Sequence, residues 1–367
     1  MRIGRILAGV LLVLTVGGVF AYVLLSRKPP VLTAVTWAGP YGHAQASALF
    51  VPYALKAGIN VHIAEYDGGL KELRGGHTGW DVVDLELPDA IRACREGLLE
   101  RLDGTTLPAA PDGRPAEADF VANALGPCWV GSVVYSQVIA YSPRRFGEAR
   151  PQTAGDFFDL ARFPGPRALR SSDAKFNLEM ALLADGVRPS DVYRLLATDE
   201  GLRRAFAKLD MLKGSIVWWT RSSEPAEMLA DGRAAFATIL NGDVYDAAVR
   251  NRVLGVIWDR QLYELDVFGI PRESRKGDMA LDFIRFATST QRLARVAQWV
   301  PYGPARLSAG ALTGNNPELG IPMRPYLPTA PGHFSTAFAI DDAWWQVHGA
   351  EIAGRWRAWR ARQVSPP

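Results

Sequence analysis

Aromatic and acidic side chains recur in this chain where strand-like segments end. Trp37 closes the first such segment, and Tyr41 stands just past the Gly39-Pro40 turn. Asp84 and Glu86 close the third segment. Tyr263, Glu264 and Asp266 lie on a late one, and Tyr302 follows a helix-like run ending at Trp299. A Trp or Tyr face attracts an ammonium group through its quadrupole, at about 0.5–2 kcal/mol when desolvated. A carboxylate adds a charge-assisted hydrogen bond. Together these groups suit an organic cation. An anion binder should instead bring Arg to such positions, and none of them is Arg. Each residue alone has a structural alternative: Trp37 is as readily a core residue, and Trp218, Trp219, Trp344 and Trp345 sit where tryptophan more often packs.

No catalytic constellation accompanies them. The five histidines form no H-E-x-x-H pair, and no G-x-S-x-G elbow, Walker A loop or dinucleotide fingerprint is present. Gly68-Gly69 and Gly75-Gly76 read as turns. Cys94 and Cys128, without C-x-x-C spacing, cannot build a structural zinc site. No cofactor, metal or enzymatic activity is therefore expected. A hydrolase using a carboxylate pair is the remote alternative, because such pairs leave little sequence trace.

The elements that must position these residues begin after a leader. Arg2 and Arg5 precede an apolar run from Ile6 to Leu25, and Arg27 and Lys28 follow it. With Val19-Phe20-Ala21 as a cleavage site this is an export signal; uncleaved, it is long enough to anchor the chain in a bilayer. Residues 1–30 are thus expected to be a signal peptide or anchor, with the rest in the periplasm. In that compartment Cys94 and Cys128 are candidates for a disulfide, with two buried thiols as the alternative. The remainder is long enough for two domains. Hydrophobic residues are 48% and charged residues 22%, with a formal charge of +3 that falls by two if Arg2 and Arg5 are removed. Such a balance gives no nucleic-acid footprint.

Strand-like and helix-like stretches then alternate. Val31–Trp37, 60–66 and 80–85 read as strands around helices at 41–57 and from Pro88, a β-α-β-α-β order that predicts an α/β fold with a mainly parallel sheet. Residues 104–119, with three prolines, read as a loop. Val130 to Tyr141 is longer than a small sheet needs. A second α/β run follows, with strands at 167–170, 234–240, 253–258 and 263–270 and helices at 177–185, 199–209, 276–287, 290–299 and 341–362. Two α/β blocks with long strands passing between them predict two lobes, a hinge and an interlobe cleft at the carboxyl ends of the strands.

Several runs carry a family resemblance. Trp80-Asp81-Val82-Val83-Asp84-Leu85-Glu86 leads to Glu96-Gly97-Leu98-Leu99-Glu100-Arg101-Leu102-Asp103. This resembles the "YDVV … GLL-x-x-LD" pattern of bacterial extracellular solute-binding proteins of the spermidine/putrescine type. Val138-Ile139-Ala140-Tyr141, the stretches 157–165 and 178–186, Asn241-Gly242, Ile270-Pro271 and Tyr302-Gly303-Pro304 extend the likeness along almost the whole chain after the leader. The resemblance implies a type II periplasmic-binding fold: lobe 1 from residues 31–138 plus 267–307, lobe 2 from 139–266 plus 308–367. It further implies a monomeric receptor that captures a polyamine, putrescine or spermidine, or a related organic cation and delivers it to an ABC permease.

By the same resemblance Trp37 takes the aromatic position after the first strand, Asp266 the amine-holding acid, Tyr302 a cleft tyrosine and Asp173 a carboxylate before a helix. Tyr41, Tyr263 and Glu86 complete the expected ligand-binding set, and Glu179 is either a further helper or a solvated helix residue. The chain departs from the pattern in three places. Asp84-Leu85-Glu86 stands where Ser and Tyr are usual, Phe176 replaces a second acid, and Leu240 replaces the Trp before Asn-Gly. These departures leave open a different solute (an amino-acid derivative, a thiamine-like compound or ferric ion), or a sensory role.

Overall fold

The computed structural model describes residues 28–76, 79–102, 106–172 and 174–364. The leader and Asp173 lie outside the described residues. Among those described, no helix is long and apolar enough to cross a membrane.

Strands β1 (Val31–Trp37), β2 (Asn60–Tyr66), β3 (Val82–Glu86), β4 (Leu125–Gly126) and β5 (Trp129–Tyr141) come first. β6 (Arg167–Arg170), β7 (Ile216–Trp219), β8 (Phe236–Leu240), β9 (Gly255–Gly269), β10 (Gly303–Pro304) and β11 (Phe338–Ala339) follow. They form one sheet whose main order is β2-β1-β3-β9-β5-β8-β6-β7. The helices that matter for the site are α1 (Pro40–Gln45), α2 (Leu87–Arg95), α3 (Asn177–Ala184), α4 (Asn241–Val249) and α5 (Asp342–Val364).

The expectation of a mainly parallel sheet holds only in the wings. β1 pairs parallel with β2 and β3, and β6 pairs parallel with β7 and β8. The centre is antiparallel: β9 runs against β3 and β5, and β5 against β8. The stretches 253–258 and 263–270, expected as two strands, are one continuous β9. What hides its continuity is a register shift opposite Gln137/Ile139, near which Arg260 takes a φ of 56°. Such a bulge breaks the two-residue alternation that marks a strand in sequence.

Burial explains the two-lobed division. One core collects Leu32, Phe50, Val83, Phe268 and Phe283 around the β1–β3 wing. A second collects Phe157, Phe163, Leu182, Phe236 and Trp356 around the β6–β8 wing. The two long strands feed both: Val133, Val134 and Leu265 pack in the first core, Ile139, Ile257 and Leu262 in the second. A two-lobed α/β fold follows, with β5 and β9 as the hinge. Cys94, at the end of α2, is bonded to Cys128 just before β5. α5 buries Trp356 and Trp359 in the second core, and its Gln346 donates to the Pro88 carbonyl of the first lobe at 2.8 Å.

Candidate functional site: the interlobe cleft

The site is built first by a tight turn. β1 ends at Trp37, and Gly39, at a φ of 81°, leads into Pro40 at the start of α1. Proline suits a first helical position, where no intrahelical donor is needed. The turn brings the backbone so close that a β-carbon on Gly42 would lie 2.1 Å from the Trp37 carbonyl oxygen. Gly68, at a φ of 84°, lies against the indole of Trp37, and the Tyr66 ring packs on the same indole with ring centroids 5.2 Å apart. The indole Nε1 has no hydrogen-bond partner among the described residues.

The acids come from two adjacent strands. Side chains two apart on a strand share a face, so Asp84 and Glu86 on β3 fall beside Glu264 and Asp266 on β9; Glu86 stands directly opposite Asp266 in the ladder. Asp84 is completely buried. Its Oδ2 accepts from the Tyr41 hydroxyl at 2.9 Å and from the Gln45 amide. Burial pushes its pKa up to about 7 despite those hydrogen bonds. Asp266 is 6% exposed, and its Oδ1 has no hydrogen-bond partner among the described residues. Burial, then the charges of Asp84, Glu86 and Glu264, hold its pKa well above the usual carboxylate range. Burial also raises Glu86, with Asp89 adding and Lys175 opposing. Lys175 itself is engaged by Glu264 and by Asp342 at the start of α5.

The far wall is positioned by Asn241. Its Oδ1 accepts from Ser136 N at 2.9 Å, while Nδ2 donates to the carbonyls of Pro301 and Tyr326 at 2.5 and 3.1 Å. One side chain thus ties the hinge strand β5, the start of α4 and the segment before Tyr302. β10 then clips that segment to β5 through Gly303 and Pro304. Only glycine fits at 303, because a β-carbon would meet Thr329 Oγ1 at 2.5 Å and its amide nitrogen at 2.9 Å. Tyr302 meets Tyr41 edge-on at 5.4 Å and Tyr135 at 6.4 Å.

These parts enclose a cavity of about 450 Å³ between the lobes. Trp37, Tyr41, Glu86, Asp266 and Tyr302 all line it. Tyr263 does not: as the odd member of the β9 alternation it points to the other side, packing on Phe334 at 4.9 Å, with its hydroxyl 3.5 Å from the Ala122 carbonyl. Asp173 falls outside the described residues. Glu179 is neither in the cavity nor solvated; it is fully buried, accepting from Trp345 Nε1 at 2.6 Å and from the Tyr193 hydroxyl at 3.2 Å. The cavity also contains residues that sequence reasoning passed over: Tyr135, Ser222, Asp243 and Asp246. The last two follow the noted Asn241-Gly242 pair, and their spacing on a helix beginning there was the available signal. Among the described residues lining the cavity, four are carboxylates and none is Lys or Arg. Chemically, the arrangement can desolvate and hold a positive charge; among the described residues no cluster suited to a metal ion occurs.

Comparison with known proteins agrees with this geometry. Residues 56–319 match the family model for bacterial extracellular solute-binding proteins. A γ-aminobutyric acid-binding protein of Pseudomonas aeruginosa is 37% identical over 335 residues, covering 90% of this chain and 91% of its own. A solved γ-aminobutyric acid (GABA) receptor is 30% identical with a TM-score of 0.69, covering 92% of this chain and 98% of that one. An ABC transporter substrate-binding protein of Bradyrhizobium japonicum is 29% identical with a TM-score of 0.71, covering 90% and 99%. The resemblance to spermidine/putrescine-type binders thus identified the family, whereas the ligand named for the first two of these relatives is GABA and not a polyamine. Fold, cleft and sequence likeness agree that this chain belongs to the bacterial extracellular solute-binding proteins.

Proposed function

We propose that the chain is the substrate-capturing component of an ABC importer and takes a small aliphatic solute, of amino-acid size, that carries a primary ammonium group. The observation that carries this reading is Asp266: a buried carboxylate with one oxygen unpartnered among the described residues, facing a cavity walled by Trp37, Tyr41 and Tyr302. Leaving such a group unpartnered is costly, and an entering ammonium supplies both the charge and the hydrogen bonds it lacks. Glu86 adds a second carboxylate, and the aromatic faces exclude water from the contact.

The GABA named for the relatives and the polyamines of the resembled type share that ammonium end, so both kinds of likeness support it. Ligand that contacts both lobes favours the closed arrangement in proportion to its differential affinity, and the closed, loaded receptor is what a permease would recognise. Lobes divided at 31–138 plus 267–307 and 139–266 plus 308–367 suit this movement, with β5 and β9 bending.

The test is a thermal-shift screen of the purified protein against amines, amino-acid derivatives, sugars, thiamine and ferric ion. A ligand that binds only the folded state stabilises it by mass action, about 2.7 kcal/mol at a hundredfold excess over Kd. Shifts confined to solutes bearing an aliphatic ammonium group are expected. A shift with sugars or ferric ion alone would discard the amine reading while keeping the capture role.

A further inference from the structure

Two acids of β9 share a face and meet different fates. Asp266 lines the cleft cavity with an oxygen that has no partner among the described residues. Glu264, two residues earlier and so on the same side of the strand, stands opposite Tyr135 in the β5–β9 ladder, and Tyr135 lines the cavity too. Glu264 itself does not line it. Its carboxylate is taken by the ammonium group of Lys175, which also donates to Asp342 Oδ1 at 2.8 Å.

Lys175 reaches this place from the segment that leads into α3, with its nitrogen 5.4 Å from the centre of the Phe176 ring. Burial works against its charge, but Glu264 and Asp342 outweigh burial and raise its pKa. Two carboxylates and an aromatic face around a primary ammonium are the kinds of group with which the cleft would hold a ligand. Here the chain supplies the ammonium. Glu86, on the cleft wall, feels both Lys175 and Asp342. Asp342 also lines a second cavity, of about 540 Å³, together with Leu87, Trp129, Tyr193 and Tyr263. The Lys175 ion group therefore has one acid beside the cleft and the other on the cavity to which Tyr263 points.

We infer that Lys175 is a specificity-determining residue: its ammonium fills the cation seat formed by Glu264 and Asp342, ends the ligand cleft beyond Asp266, and selects at that end against a second ammonium on the ligand. This rests on the reading that Asp266 holds the ligand's own ammonium. A strand rises about 3.4 Å per residue, so the two β9 acids are roughly 7 Å apart, within reach of a five-carbon diamine. Such a ligand gains nothing there, because the chain already occupies the seat its second charge would take. Without Lys175 the two carboxylates are left buried and unpaired, a costly arrangement, and the seat passes to a cation from solution.

The experiment is calorimetric titration of the full chain with 1-aminopentane and 1,5-diaminopentane, which differ by one ammonium. Lys175→Ala should raise the diamine-to-monoamine affinity ratio about tenfold or more above that of the native chain. Lys175→Arg, which keeps a cation on the seat, should leave the ratio as it is, and Glu264→Gln added to Lys175→Ala should bring it back down. Melting curves keep the test open where Lys175→Ala folds poorly. Its melting temperature should fall, and n-propylammonium chloride should raise it by more than it raises that of the native chain, which sodium chloride should not do. Absence of that rescue, or an unchanged ratio in Lys175→Ala, overturns the inference and leaves the ammonium reading at Asp266 standing. Failure of the native chain to bind either amine overturns the Asp266 reading and this inference with it.

Discussion

Glu86 and Asp266 stand directly opposite one another across the antiparallel ladder of β3 and β9, and both line the cleft. Like charges in that relation are mutually destabilising. Asp84, two residues before Glu86, adds a third carboxylate, and the nearby Lys175 is engaged by Glu264 and Asp342. Where these acids ionise together they cost the fold stability, as binding sites commonly do. On the proposed reading, the ligand's ammonium charge relieves that cost.

The first consequence is a pH dependence of stability. Asp84, raised to about 7, and Asp266, raised well above its usual range, hold protons more tightly in the folded than in the unfolded chain. The folded state then binds more protons than the unfolded one from about pH 4 upward. Stability of the empty protein should accordingly fall as pH rises through that window to beyond 7. Melting temperatures across pH 5 to 9 measure this, and Asp266→Asn should flatten the decline. A profile rising with pH would show these carboxylates to be ionised without strain.

The same protons must leave when an ammonium arrives. Amine affinity should therefore increase with pH over the range in which Asp84 and Asp266 titrate, and binding should release protons. Titration calorimetry in buffers of different ionisation enthalpy reads the number directly. Heats that do not change with the buffer would mean that the acids are already ionised in the empty cleft.

Asn241 holds three backbone groups from three segments. Asn241→Leu strands the Ser136 donor and two carbonyls, a loss of about 1–3 kcal/mol for a buried group left without its partner. Because it also frees the segment carrying Tyr302, amine affinity should fall severalfold along with stability. Denaturant titration and ligand titration together check both parts.

The Cys94–Cys128 bond joins α2 to the approach of β5, and neither cysteine lines the cavity. Replacing both by Ser should cost about 3–4 kcal/mol of stability by loosening the unfolded chain's constraint, read as a lower melting temperature. The amine affinity of the molecules that remain folded should be nearly unchanged.

Much of this was legible in the residues because its physics is local. Trp37 before Gly39-Pro40 reads as a strand end and turn, and the two-residue spacing of Asp84/Glu86 and Glu264/Asp266 already sets each pair on one face. The helix over Thr290–Trp299 has the bounds its periodicity predicts. What was not legible depends on contacts distant in sequence. The antiparallel centre of the sheet follows from where β9 returns, and the parity that turns Tyr263 away from the cavity is set by its pairing with Ser136 of β5 and Ala339 of β11. β7, though apolar and aromatic, carried no alternation to separate a strand from a buried helix. Asp243 carries no signal of its own in the sequence; only the fold brings it to the cavity that Asp266 also lines.

The most direct test of the central claim is titration of the native chain and its Asp266→Asn variant with an amine chosen from the thermal-shift screen, both at pH 8. The variant, still folded by its melting curve, should bind more than tenfold more weakly. Unchanged affinity would remove Asp266 from the site and contradict capture of the ligand's ammonium group at the β3–β9 ladder.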